Sequence, residues 1–265
     1  MIDLHVHTAR CGHAVGSAAE YVAAAASAKV SVIAFTDHLP LPPGYTPGYA
    51  MPWVQLPLYV NEVRALADAS AGSGGPEVLL GVEADWIPGQ ESLVRGALDE
   101  HEFDMVLGSV HFIDDWAFDD PTLRERYSEW TPDLLWGRYF EDLAAAAATG
   151  LYDVMAHPDL VKKFDYRPLV DPKPLFREAA AVFHECGVAV EVNTAGLRKP
   201  CAEIYPSLDF LKECRIAGVP ATIGSDAHCP EEVGASWPAG RDLLLAAGYS
   251  SVVVFRRREP QEIPL

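Results

Sequence analysis

Seven of the nine histidines in this chain lie where a predicted β-strand ends or in the loop that follows it. They are His5, His7, His13, His38, His111, His157 and His228. Glu83 and Asp226 occupy the same kind of position. Imidazole and carboxylate groups are common ligands of zinc, iron and manganese, and a single zinc ion takes only about four of them. The nine groups therefore predict a centre of two to three divalent transition metal ions (Zn, Fe or Mn), and with it hydrolytic chemistry.

The elements that must position these side chains alternate along the chain. Short apolar runs predict strands at Ile2–Val6, Val32–Phe35, Val78–Val82, Met105–Val110, Val154–Ala156, Ala189–Val192, Ala221–Ile223 and Ser251–Phe255. The stretches between them predict helices at Ala18–Ala28, Leu56–Ala69, Glu91–Glu100, Pro132–Ala148, Pro174–Cys186, Pro206–Ala217 and Ala239–Ala246. Such alternation is typical of a parallel sheet covered by helices. With no break in composition, it favours one closed α/β barrel domain over residues 1–265.

A barrel of this kind would bring the candidate ligands together. Its active site forms at the C-terminal ends of the strands. Because alternate residues of a strand share a face, His5 projects with His7, and Asp226 with His228 if the strand stays extended. A single histidine is more often a structural polar residue than a ligand. The joint placement, with a ligand-type residue at the end of every strand from the first to the seventh, is what predicts the metal site.

Polar residues beside the ligands have less direct predicted roles. Glu191 and Asn193, at the end of the sixth strand, are expected to support the ligands or to contact substrate rather than to bind metal. Asp37 and Asp159 flank candidate ligands and are expected to serve turns or to support those ligands. Asp3 lies deeper on the first strand, where a structural hydrogen bond is expected.

Composition excludes several classes of protein. A net charge of −18 argues against a nucleic-acid-binding surface, because phosphate backbones attract basic faces. Five cysteines without a C-x-x-C pair indicate a reduced protein, in which Cys11 is a loop thiol rather than a metal ligand. No apolar run reaches the about 20 residues that span a bilayer, and the chain opens directly on a strand. We therefore expect a cytoplasmic protein, and the sequence leaves its oligomeric state open.

Two long connections interrupt the alternation, and both are rich in aromatic residues. They are Leu39–Gln55 and Phe112–Trp130. Connections longer than about 12–15 residues in a compact domain are usually functional or disordered. Two interpretations remain: the segments are lids over the site, or they pack on the rim of the barrel.

The ordered motifs resemble those of the polymerase-and-histidinol-phosphatase (PHP) superfamily, and in particular its histidinol-phosphate phosphatase branch. The motifs are HVHTARCGHA, FTDH, GVEAD, GSVHF, AHPDLVKK, EVNTAGLRK and GSDAH, which cover residue 2 to about residue 228. The resemblance implies an α/β fold, a distorted (βα)7 TIM-like barrel, with a trinuclear metal centre. Carried over residue by residue, it implies three ligand sets: His5, His7, Glu83 and Asp226; then Glu83, His111 and His157; then His13, His38 and His228.

The chemistry implied by the resemblance is hydrolysis of a phosphomonoester by a metal-bridging hydroxide, without a phosphoenzyme. Arg198 is our candidate phosphate clamp, because a guanidinium group matches phosphate oxygens bidentately. Glu83 and Asp226 are expected to be catalytic together with it. Lys162 and Asn193 are further candidates for substrate binding, and Lys163 is a weaker one.

The substrate implied by the resemblance is L-histidinol phosphate, a small-molecule intermediate of histidine biosynthesis. The acidic loop IDDWAFDD would complement its ammonium and imidazole groups, unless the loop is a solvated turn. Three alternatives remain open. They are a PHP phosphoesterase acting on a nucleotide or phosphotyrosine, a metal-dependent amide hydrolase on a related barrel, and a non-catalytic metal-binding domain.

Overall fold

Seven parallel strands form the central sheet of the computed structural model, which describes residues 1–45 and 48–265. Numbered along the chain, they run in the spatial order β1 (Ile2–Val6), β2 (Val32–Phe35), β3 (Glu77–Asp85), β4 (Met105–Ser109), β7 (Val154–Met155), β8 (Ala189–Asn193) and β9 (Ala221–Gly224). The sheet curls until its edges meet. A parallel bridge joins Val6 to Ala227, and the His7 N–H donates to the Ala227 carbonyl at 2.9 Å. The predicted distorted seven-stranded barrel is confirmed.

Seven helices pack around the strands in the described part of the chain. They are α1 (Ala18–Ala28), α2 (Leu56–Ser73), α3 (Glu91–Glu100), α4 (Pro132–Ala147), α5 (Lys173–Cys186), α6 (Leu208–Ala217) and α7 (Trp237–Ala247). Ser17 and Glu20 form a capping box at the start of α1, and the Thr131 side chain caps α4. Because helices cover the outside, strands such as β1, β2 and β4 are buried along their whole length. None of these helices is both long and apolar enough to cross a membrane.

The last predicted strand exists but lies apart from the barrel sheet. It is β10 (Ser251–Arg256), which pairs antiparallel with β11 (Glu259–Pro264). β11 escaped prediction because it is polar, exposed and contains two prolines, so it shows no apolar run. Arg256 and Arg258 attach this hairpin to the barrel through Glu77 and Asp153.

The second long connection is more regular than its sequence suggested. It contains a short hairpin, β5 (Phe112–Ile113) and β6 (Trp116–Ala117), followed by a 3₁₀ helix at Pro121–Glu129. Trp116 and Phe118 are fully buried, so these two aromatic side chains belong to the core and do not face solvent. The first connection ends in a 3₁₀ turn at Trp53–Gln55; its residues 46 and 47 lie outside the described residues.

Candidate metal centre

His5 of β1 and His7, directly after that strand, meet two carboxylates at the C-terminal end of the barrel. The Nε2 atoms of His5 and His7 lie 2.9 Å apart. Glu83 Oε2 lies 3.2 Å from the first and 3.3 Å from the second. Asp226 Oδ1 lies 3.7 Å and 3.4 Å from the same two nitrogens. Four ligand-type atoms therefore converge on one point, as the alternation of side chains along β1 predicts.

The second oxygen of Glu83 faces two further histidines. Glu83 Oε1 lies 2.9 Å from His157 Nε2 and 3.7 Å from His111 Nε2. The carboxylate is held at the end of β3 because its own backbone pairs with the segment after β2: the Glu83 N–H donates to the Asp37 carbonyl, and the Leu39 N–H donates to the Glu83 carbonyl. Glu83 thus connects the first group of donors to a second.

A third group of donors comes from loops beside β1 and β9. His13 Nε2 and His228 Nε2 lie 2.9 Å apart. The His38 ring lies between the groups, with its centroid 5.4 Å from that of His13 and 4.7 Å from that of His7. All nine predicted ligands therefore gather in one place.

The donor set fits divalent metal ions. Two imidazole Nε2 pairs stand at hydrogen-bond distance from each other, and carboxylate oxygens lie close to them. His38 Nδ1 is buried without a hydrogen-bond partner in the described structure, although it lies 3.4 Å from Glu83 Oε2. A buried polar atom without a partner is costly. A cation at this centre would satisfy it, and neutral imidazole with carboxylate is a donor set that zinc, iron and manganese accept.

The electrostatics of the centre favour bound cations. Burial opposes ionisation of Glu83 and Asp226, but the surrounding imidazoles outweigh it and hold the pKa of both carboxyls well below their usual range. Burial and neighbouring imidazoles lower the pKa of His13 to about 4 and that of His228 to about 2, which keeps both rings neutral. On three other rings burial is outweighed by nearby carboxylates, which act in the opposite direction: they raise the pKa of His5 and His7 well above the usual value and that of His111 to about 9, so a metal ion would displace a proton from these rings.

Two carboxylates outside the ligand set hold the ligands in orientation. Glu191 Oε1 lies 2.7 Å from His5 Nδ1, and Asp85 Oδ1 lies 2.7 Å from His111 Nδ1. A contact of this kind fixes the tautomer and direction of a ligating imidazole. Asn193 donates to Glu191 Oε2 and to Asp226 Oδ2, so it supports carboxylates. The expectation that Glu191 and Asn193 support the ligands agrees with these contacts.

Seven of the nine predicted ligands line one cavity of about 380 Å³, and His5 and His7 lie buried beneath it. Beyond the predicted ligands, its polar lining comes from Tyr49, Asp85, Asp119, Asp120, Lys163, Lys199 and Tyr205. Both long connections contribute to the wall, through Leu41 and Tyr49 on one side and Phe112 and Pro121 on the other. The volume suits a small molecule rather than a polymer.

Comparison with known proteins identifies the family. A profile of the PHP domain matches residues 3–195. The chain is 40% identical over 263 residues to the probable histidinol-phosphatase of Deinococcus radiodurans, covering 98% of each chain. It is 28% identical to the histidinol-phosphatase of Bacillus subtilis, covering 89% of this chain and 97% of the relative.

The chain belongs to the PHP domain family.

The barrel superposes on a solved structure with the same architecture. Histidinol phosphate phosphatase from Lactococcus lactis, complexed with zinc, L-histidinol and phosphate, gives a TM-score of 0.83 over 98% of both chains at 22% identity. At that identity the likeness shows the fold. It agrees with the seven-stranded barrel described above, and the recognition of the PHP superfamily from sequence motifs is confirmed.

Two predicted substrate-binding residues of this PHP domain do not line the cavity. Lys162 is fully buried, and its Nζ contacts Asp159 Oδ2 at 2.8 Å and Glu203 Oε2 at 3.2 Å. Arg198 donates from Nη2 to the carbonyls of Ser225 and Asp226, and its Nε lies 3.1 Å from Glu232 Oε1. Partners within the fold hold both cations, and neither is among the residues that line the cavity.

Asn193, the third predicted substrate-binding residue, does not reach the cavity either. It is fully buried beneath the carboxylates that it supports and is absent from the cavity lining. Asp3, by contrast, accepts hydrogen bonds from the N–H and hydroxyl of Ser225. Asp37 accepts hydrogen bonds from Thr8. These two acids have the structural roles expected of them.

Sequence reasoning missed three polar residues of the PHP cavity, which are Asp85, Lys199 and Tyr205. Asp85 stands two residues after Glu83 on β3, and alternation along an extended strand would have indicated that both carboxylates share a face. Lys199 follows Arg198 in a 3₁₀ segment, where nothing in the sequence shows which of the two neighbouring cations faces inward.

Proposed function

We propose that this PHP protein is a cytoplasmic, metal-dependent phosphomonoesterase of histidine biosynthesis that hydrolyses L-histidinol phosphate to L-histidinol and inorganic phosphate. The observation that carries the proposal is the gathering of all nine predicted ligands in one cluster, seven of which line one cavity, in a chain 40% identical to a probable histidinol-phosphatase along almost its whole length. The Lactococcus lactis protein, whose fold this chain shares, holds zinc, L-histidinol and phosphate.

We assign the nine donors to three divalent ions, which we take to be zinc, iron or manganese. His5, His7, Glu83 and Asp226 would hold the first ion, and the distances around His5 Nε2 support this set. Glu83, His111 and His157 would hold the second. His13, His38 and His228 would hold the third. Glu83 serves two sites because its two oxygens face different histidines.

Metal ions held in this way lower the pKa of coordinated water and neutralise charge on a phosphoryl group. The chain itself supplies the remaining functions. Glu83 and Asp226 stay ionised among the imidazoles and keep the ligands in place. Lys163 and Lys199 line the cavity and would bind phosphate oxygens, the role that the sequence suggested for Arg198 and Lys162. Arg198 instead holds the backbone that carries Asp226.

Release of inorganic phosphate tests the proposal. Histidinol phosphate, a nucleotide and phosphotyrosine would each be incubated with the protein and added Mn²⁺, Zn²⁺ or Fe²⁺. We expect fast release from histidinol phosphate alone. Comparable rates on all three would contradict the substrate assignment, and no release from any would contradict the phosphatase activity.

A matched pair of histidine variants tests the site. His157→Asn should lose about 100-fold or more in kcat/KM, because even partners that only orient metal ligands are worth about 10- to 100-fold. His184→Asn is the control, since His184 lies exposed on α5. Equal activity of the two variants would remove His157 from the site.

A further inference from the structure

Five carboxylates line the cavity, and four of them are already occupied by partners within the fold. Glu83, Asp85 and Asp226 face the imidazoles of the metal centre. Asp120 accepts from the Thr122 N–H and hydroxyl through Oδ1 and from the Tyr49 hydroxyl through Oδ2. Each oxygen of these four acids already has a partner within the fold.

Asp119, the fifth carboxylate, has one oxygen without a partner in the described part of the chain. Its Oδ2 accepts a hydrogen bond from Lys163 Nζ at 3.0 Å, whereas its Oδ1 has no donor in the described part of the chain. Lys163 Nζ also donates to the Asp119 carbonyl at 2.7 Å. An ammonium group has three donors, so one N–H of Lys163 remains for a ligand. The pair therefore offers the cavity one anionic acceptor and one cationic donor, side by side.

This pair is sheltered from bulk water. The Lys163 and Asp119 side chains are only 15% and 20% exposed. Interactions between charges are stronger in such a setting than at an open surface. The same cavity also has apolar lining residues, among them Leu41, Phe112 and Leu160. A ligand that fits would carry a negative and a positive group close together, with an apolar or flat remainder.

The rest of the acidic loop does not take part. Asp114 and Asp115 are exposed and pair with Arg138 and Arg126. Trp116 and Phe118 are buried in the core. The sequence suggested that the whole loop complements a cationic substrate. The structure narrows that interpretation to a single carboxylate.

We propose that Asp119 makes the enzyme selective for phosphate esters of β-amino alcohols. Its Oδ1 receives the ammonium group on the carbon next to the ester carbon, while Lys163 Nζ binds the phosphate. The inference rests on the proposed function, since L-histidinol phosphate carries these two charges in this relation. It goes further by naming the residue that distinguishes an amino ester from an ester without the amine.

The test compares two esters in two variants. The esters are L-histidinol phosphate and imidazolylpropyl phosphate, which is the same compound without the amine. Asp119→Asn should lower kcat/KM for the amino ester by about 10- to 100-fold relative to the deamino ester, the value of a charge-assisted hydrogen bond. Asp115→Asn, the same change at an exposed position of the same loop, should leave both unchanged.

The ratio of the two esters separates recognition of the amine from any effect on Lys163 or on folding, because such effects reduce both rates together. An equal loss on both esters would overturn the assignment. The wild-type protein gives an independent check that needs no variant: it should prefer the amino ester by a similar factor, and equal kcat/KM values would also overturn it. An inactive wild type, by contrast, would refute the proposed function itself and this inference with it.

Discussion

At the scale of single residues, one carboxylate outside the ligand set supports two of the proposed metal sites. Glu191 Oε1 contacts His5 Nδ1 at 2.7 Å, and its Oε2 accepts the His157 backbone N–H at 2.8 Å. His157 has a φ of +29°, a conformation that is strained for a residue with a side chain. Glu191 therefore holds one ligand by its ring and another by its strained backbone.

Replacing Glu191 by glutamine should weaken metal binding. A glutamine side chain keeps one carbonyl oxygen, so its amide nitrogen would face one of the two N–H donors. We expect the affinity for zinc to fall by about 10- to 100-fold, as for other residues that orient metal ligands. Competition with a chromogenic chelator measures this. Glu185→Gln, at an exposed position of α5, is the control, and equal affinities would show that Glu191 does not position the ligands.

At the scale of elements, the sequence predicted the strands well because each is a short apolar run. The sequence underestimated the length of β3, which continues through Glu83 to Asp85. Charged residues end an apolar run, but they do not necessarily end a strand. Which of two adjacent cations faces the cavity was beyond prediction. Lys162 and Lys163 are neighbours in a 3₁₀ turn, and two partners of the buried Lys162, Glu203 and Ile204, come from a distant segment of the chain.

Those partners join two connections of the barrel. Lys162, in the turn after β7, contacts Glu203 and donates to the Ile204 carbonyl at 2.8 Å, both in the segment before α6. Asp159 in the same turn accepts the Ser207 N–H, at the start of α6, at 2.8 Å. The segment that follows the proposed ligand His157 is thereby fixed to the segment that carries Tyr205 of the cavity wall.

Removing the charge of Lys162 should destabilise the protein rather than alter substrate binding directly. Lys162→Met would leave Asp159 buried without its cation, which costs about 3–5 kcal/mol. Urea unfolding measures this free energy. Lys212→Met, at an exposed position of α6, should be nearly neutral. If Lys162→Met had the stability of the wild type but a raised KM, Lys162 would instead act in substrate binding.

At the scale of the whole molecule, the proposed metal ions join the two ends of the barrel sheet. His5 lies in β1 and His7 directly after it, whereas Asp226 and His228 follow β9. In the described residues, the contacts between these edges include one backbone bridge, from Val6 to Ala227, and the hydrogen bonds that Ser225 donates to Asp3. The ions would also offset part of a net charge of −18, which disfavours the compact state through self-repulsion. Metal binding should therefore stabilise the fold as well as supply chemistry.

Removal of the ions should lower the melting temperature of the whole chain in one transition. Saturation of one site at about 1,000 times its Kd contributes about 4 kcal/mol. In a domain of this size that corresponds to roughly 10 °C. Thermal unfolding followed by circular dichroism, with and without a chelator and after zinc or manganese is restored, measures the shift. Glu83→Gln should show a smaller chelator-dependent shift than Glu185→Gln, because Glu83 serves two of the proposed sites. An unchanged melting temperature in protein that metal analysis shows to be ion-free would mean that the ions do not hold the barrel together.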